Sequence, residues 1–152
     1  MKKQSQKFLS LIMAAMLLLS LGAVVSASEP ASAKTSIALR QSAINPRFVA
    51  LLDCGNALTL ENSLGKLYCY GYTDTYSGYI AYVKVELQEL DGTWGTIKTW
   101  THAPSSSTAA TVSEYYYVAK GTYQLKITHK AYNQNGTLAD EFTSYSDVVQ
   151  YR

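Results

Sequence analysis

The sequence predicts an all-β fold, an antiparallel sandwich of about seven to eight strands, and three observations carry that expectation. Apolar and polar residues alternate with a period of two through most of the chain after residue 47, as in strands that bury one face. No window of adequate length places apolar residues at i, i+3, i+4 and i+7, so no helix is expected. Turn chemistry recurs at the spacing all-β domains use: Ser63-Leu64-Gly65, Asp91-Gly92, Pro104-Ser105-Ser106-Ser107, Lys120-Gly121 and Asn133-Gln134-Asn135-Gly136. A closed barrel satisfies the same pattern and is the alternative architecture.

In chain order, the first element stands apart from the fold. Lys2, Lys3 and Lys7 precede an uncharged apolar run from Phe8 to Val25, followed by small residues. This is the pattern of a signal peptide over residues 1–27, with Val25-Ser26-Ala27 and Ala31-Ser32-Ala33 as two cleavage patterns. A single transmembrane anchor is the rival reading, because the run is near the lower length limit for a span. No second apolar stretch follows, so a secreted, extracellular protein with no stable membrane insertion after cleavage is expected. Residues 28–46, with Pro30, Pro46 and many Ser and Ala, read as a flexible linker, and residues 47–152 as the β-sandwich domain.

The leader also carries the basic excess. The 152 residues hold thirteen Lys and Arg against eleven Asp and Glu, a formal charge of +2. Without Lys2, Lys3 and Lys7 ten basic residues face eleven acidic ones, so no electrostatic attraction to nucleic acid is expected.

The strands expected within the domain are Phe48–Asp53, Ala57–Glu61, Lys66–Thr73, Tyr79–Leu90, Thr93–Thr101, Thr111–Val118, Thr122–Tyr132 and Glu141–Tyr151. Alternation assigns their faces. Val83, Val85 and Leu87 point to the core in the fourth, and Tyr123, Leu125, Ile127 and Ala131 in the seventh. In the third strand Leu67, Cys69 and Gly71 point inward and Tyr68, Tyr70 and Tyr72 outward. In the sixth, Tyr116 and Val118 point inward and Tyr115 and Tyr117 outward. If these two strands pair, five tyrosines form one aromatic surface. Such rings stabilise an exposed sheet by cross-strand pairing, and they equally suit contact with a protein or a sugar. Thirteen tyrosines, all after residue 67, single this surface out.

Trp94 and Trp100 are the second candidate pair. Six residues apart in one strand, they are expected on one face, as in the aromatic rows of carbohydrate-binding modules. A plain two-residue turn at Asp91-Gly92 puts both on the core side. A glycine bulge there buries Ile97 against Val85 and turns both outward with Lys98.

Export places Cys54 and Cys69 in a compartment that permits a disulfide. A hairpin folded at Ser63-Leu64 sets Leu58, not Cys54, opposite Cys69, so both a bonded pair and two free thiols stay open. Catalytic groups are sparse. His102 and His129 have no partner at metal-ligand spacing, and no zinc, phosphate-loop or calcium-loop pattern occurs. A Cys69/His129 dyad would sit in the core without a cleft or an orienting group. The scattered acids offer no carboxylate pair. No enzyme, metal or cofactor is expected.

Ile44-Asn45-Pro46-Arg47, Gly65-Lys66-Leu67-Tyr68-Cys69-Tyr70-Gly71, Leu87-Gln88 with Trp94, Ile97, Lys98 and Trp100, Tyr116-Tyr117-Val118, Gly121-Thr122-Tyr123 and Thr143-Ser144-Tyr145-Ser146 together resemble a family. It comprises small secreted proteins of Gram-positive bacteria catalogued as a domain of unknown function. The resemblance covers most of residues 44–151. It implies an exported immunoglobulin-like, or fibronectin type III-like, sandwich and no particular activity. Cys54 and the tyrosine loading depart from that pattern, which puts a shared disulfide in doubt. The sequence therefore points to a secreted, non-catalytic module contacting an extracellular protein or the cell envelope through exposed aromatics. A carbohydrate-binding module using Trp94 and Trp100 is the alternative, and a secreted enzyme the second.

Overall fold

The computed structural model describes residues 40–41 and 48–152, so the expected signal peptide and most of the linker lie outside the described residues. Among the described residues nine strands occur in chain order: β1 (Arg40–Gln41), β2 (Leu51–Leu60), β3 (Lys66–Thr75), β4 (Tyr79–Asp91), β5 (Thr93–His102), β6 (Ala109–Tyr117), β7 (Gly121–Asn133), β8 (Leu138–Tyr145) and β9 (Val149–Tyr151). All pairings are antiparallel. One sheet has the order β1-β2-β3-β6, and the other β5-β4-β7-β8 with β9 also on β7. Two antiparallel sheets enclosing one core make an immunoglobulin-like sandwich. β5 stays beside β4, where the antibody constant domain moves its fourth strand to the other sheet.

The core is built from the faces that alternation assigns. Leu67 and Cys69 of β3, Val83, Val85 and Leu87 of β4, and Tyr123, Leu125 and Ile127 of β7 are all buried in one cluster. Each fully buried Leu, Val or Ile contributes about 1.5–3 kcal/mol relative to exposure. Gly71 lets the sheets approach: a Cβ there would lie 2.7 Å from a Val85 methyl. Tyr123 anchors the β6–β7 corner. Its hydroxyl lies 2.9 Å from the Ala119 carbonyl and 3.0 Å from a Glu89 carboxylate oxygen, the tyrosine corner of immunoglobulin-like domains. Burial, aided by Glu89, pushes its phenol up to about 12.

Four expectations need correction. The two short pieces expected before residue 62 are one strand, β2, because Cys54, Gly55 and Asn56 are buried in the ladder and join them. The last expected strand is two: β8 and β9 flank a break at residues 146–148, where the Ser146 hydroxyl accepts the Leu125 N–H at 2.8 Å and continues the ladder with a side chain. Arg40 and Gln41, inside the expected linker, pair with Asn56 and Gly55.

The fourth correction concerns the tryptophans. Trp100 lies opposite Val85 and Trp94 opposite Leu90, with the register broken between Leu87 and Gln88 so that Ile97 is the extra residue. A bulge inside β5 reverses parity between the two indoles. Trp100 packs on the core, edge-on to Tyr116 at 6.0 Å, while Trp94 shares the outer face with Leu90. Ile97 is exposed rather than buried against Val85. Neither expected arrangement holds, and the two indoles form no common row.

Candidate functional site

The outer face of the β1-β2-β3-β6 sheet brings the predicted tyrosines together. β3 supplies Tyr68, Tyr70 and Tyr72 at alternate positions, and the register sets Tyr115 opposite Tyr68 and Tyr117 opposite Lys66. Ring centroids run Tyr72 to Tyr70 at 5.9 Å, Tyr70 to Tyr68 at 6.1 Å and Tyr68 to Tyr115 at 5.2 Å. The Lys66 ammonium caps this chain 3.9 Å above the Tyr115 ring, within cation–π range. Tyr68 and Ser113 join hydroxyls across the strands at 3.1 Å.

The row has two ends of different character. Tyr72 lies over Gly55, whose missing side chain makes room: a Cβ there would sit 2.5 Å from the ring. Its hydroxyl donates to Asp53 Oδ2 at 2.9 Å. Burial raises the Tyr70 and Tyr72 phenols above the ordinary tyrosine range, and the Asp53 hydrogen bond adds to the shift at Tyr72. Burial, with Asp53 opposite it, also raises Asp74. At the other end Tyr115 is 53% and Tyr117 62% exposed. Tyr68, Tyr70 and Tyr72 are thus half-buried along the sheet, and Tyr115 and Tyr117 present surface.

The opposite outer face is different in kind. Lys130 pairs with Glu141 at 3.3 Å and Lys84 with Glu86 at 3.1 Å. Gln124 donates to Gln88 at 2.9 Å. Tyr82 and Tyr132 meet edge-on there, with Lys130 over Tyr82. This is a polar, charge-laced face on which Gln88, Gln124 and Thr128 are buried and the aromatics are interrupted.

The remaining candidates lie apart from the tyrosine row. Cys54 and Cys69 are both free and buried. Cys69 pairs with Leu58, as the hairpin arithmetic expects, and Cys54 pairs with Thr73. Four strand positions separate the thiols, about 13 Å, beyond disulfide reach. Burial pushes Cys54 up to about 11 and Cys69 to about 12, with Asp53 and Glu114 adding to the shifts. His129 does find polar partners, though not Cys69: Nδ1 lies 2.9 Å from the Thr73 hydroxyl and Nε2 2.8 Å from that of Ser144, which also accepts from Asn56 at 3.0 Å. All four residues are buried, so this Ser-His contact has no access to a substrate. His102 Nδ1 accepts the Thr111 N–H at 3.0 Å beside a cleft of about 430 Å³ between β5 and β6. Among the described residues no three His, Cys, Asp or Glu cluster as a metal site requires.

Sequence reasoning missed Asp140. Its Oδ2 accepts the backbone N–H groups of Val49, Ala50 and Leu51 at 2.9, 2.6 and 3.2 Å, pinning the entry to β2 from a residue some ninety positions away. No local pattern announces such a contact.

No protein-family model matches the chain, and comparisons with the curated proteins and with the solved structures return no significant match.

Proposed function

We propose that this is a secreted, non-catalytic contact module whose outer tyrosine face engages an extracellular protein or cell-envelope partner. One observation carries the reading. Tyr117 lies opposite Lys66 and is largely exposed, and among the described residues no ring packs on it. Cross-strand stabilisation accounts for Tyr68 against Tyr115, at about 0.2–1 kcal/mol per pair, but not for Tyr117. Rigid amphipathic rings around a cation are the composition that contact surfaces favour. The family resemblance and the apolar leader support export of the domain. The separation of Trp94 and Trp100 onto opposite faces removes the aromatic row on which a glycan-binding reading rested.

Replacing Tyr68, Tyr115 and Tyr117 together by Thr keeps strand propensity and deletes the rings. Binding of the purified protein to intact cells and cell-wall fragments of its source is expected to weaken at least tenfold. Far-UV circular dichroism should be unchanged, and stability lower by only about 1–2 kcal/mol. Undiminished binding by a folded triple variant would overturn the proposal. Prior protease treatment of the cells separates a protein partner from a polymeric one.

A further inference from the structure

β6 is the free edge of the tyrosine-bearing sheet. In an antiparallel ladder alternate pairs exchange hydrogen bonds, and the residues between them turn N–H and C=O outward. Thr111 fixes the phase, since its N–H goes to His102 Nδ1, away from β3, whereas Val118 donates to the Gly65 carbonyl on the β3 side. Ser113, Tyr115 and Tyr117 share the parity of Thr111. Their backbone groups therefore face the open edge, and among the described residues nothing bonds to them.

Among the described residues the other edges of the sandwich are protected, whereas β6 is capped by His102 at Thr111 alone and borders an open cleft against β5 at Ser113 and Glu114. β5 carries a bulge at Ile97 and the charge of Lys98, β8 breaks before β9 and holds Asp140 and Glu141, and the outer side of β2 is bulged near Leu51 and partly covered by β1. Such devices are how soluble proteins blunt an edge. β6 pairs with β3 in nine consecutive regular positions, contains no Gly, Pro or Lys, and has Glu114 as its one charge. Only Thr111 is capped.

We infer that β6 is a self-association edge, joining antiparallel to β6 of a second copy about a two-fold axis at Tyr115. The register follows from three facts above. An axis at Glu114 opposes two like charges, which destabilises a strand pair, and an axis at Ser113 needs the Thr111 N–H that His102 already holds. An axis at Tyr115 uses only the free groups. Tyr115 pairs with the partner's Tyr115, and Ser113 with the partner's Tyr117, in about six backbone hydrogen bonds. Glu114 then lies opposite the partner's Tyr116. The two sheets become one, and the exposed tyrosines of both copies lie on a single continuous face. The inference rests on the strand edge and stands apart from what the face binds.

Sedimentation equilibrium of the mature protein over a range of concentrations tests it. The wild type is expected to approach twice the monomer mass. Ser113→Pro removes one outward N–H without touching the β3 ladder, as proline does on an edge strand, and is expected to stay monomeric with unchanged circular dichroism. Tyr115→Lys sets like charges face to face at the axis and should also be monomeric, which keeps the test decisive if the proline variant folds poorly. Tyr68→Thr alters the face but not the edge and should still dimerise. A wild type monomeric throughout, or a dimer that survives both edge variants, would overturn the inference.

Discussion

Acidifying the protein from pH 7 to pH 4 is expected to remove about 3 kcal/mol of folding stability through His129. The side chain is fully buried between the sheets, where burial holds its pKa down at about 4 against an ordinary 6.5, with the Tyr72 backbone carbonyl pulling weakly the other way. The folded state thus keeps the ring neutral while the unfolded chain accepts a proton. The stabilisation is fully present above about pH 6.5 and is lost as the pH falls through the window down to about 4. The groups around the ring, Thr73, Ser144, Asn56 and the stacked Phe142 at 5.9 Å, supply no negative charge to hold an imidazolium. Asp74, half-buried and raised in the folded state, acts in the opposite sense and offsets part of the loss. Urea midpoints at pH 7 and pH 4.5 should differ markedly for the wild type. The difference should shrink in His129→Gln, which retains a donor and an acceptor without the titration. An equal acid loss in both proteins would contradict this account.

Asp140→Ala is expected to cost about 2–3 kcal/mol, large for a partly exposed acid. One carboxylate oxygen collects three consecutive backbone donors, two of them part-buried. Truncation leaves those donors facing the small cluster of Ala50, Leu51 and Ala131 with Phe48 and Phe142 around it. Asp140→Asn keeps a neutral acceptor and should lose about half as much, since hydrogen bonds to an ionised group are roughly twice as strong. Denaturant midpoints check both values, and a loss below about 0.5 kcal/mol in the alanine variant would place Asp140 among ordinary surface residues.

Much of the fold was legible because period-two alternation is a local signal. It placed every buried residue named for β4 and β7 and the inward Leu67 and Cys69, whereas the pairing of β3 with β6 that gathers the tyrosines followed only if the strand order was immunoglobulin-like. The expectation failed where a strand changes parity within its own length rather than at a turn. Ile97 occupies a bulge two residues after Gly95, inside β5 rather than at the Asp91-Gly92 turn, and that single extra residue sends Trp94 and Trp100 to opposite faces. The piece around Cys54-Gly55-Asn56 was left out of the expected strands and is strand, because Tyr72 covers the glycine and the Asn56 side-chain N–H donates to Ser144. Those partners lie 17 and 88 residues away, and Asp140 is as remote from Val49. Contacts that depend on closing the whole sandwich leave no trace in a local window.

The tyrosine face divides along its length, and that division sharpens its proposed role. Tyr72 and Tyr70 lie against Gly55 and Ala57 and complete the sheet, whereas Tyr115 and Tyr117, beside the half-buried Tyr68 and Lys66, form the accessible end. Exposed tyrosines elsewhere offer an internal standard. Tyr76 in the β3–β4 turn is 48% exposed, and Tyr145 on the outer face of β8 53%. Hydroxyl-radical footprinting with mass spectrometry, comparing the protein free and bound to cell-wall fragments at one protein concentration, reads all of these residues together. Oxidation of Tyr115 and Tyr117 is expected to fall several-fold on binding while Tyr76 and Tyr145 react as before. Protection of Tyr145 or Tyr76, with Tyr115 and Tyr117 still fully reactive, would contradict the assignment of the contact surface to this sheet.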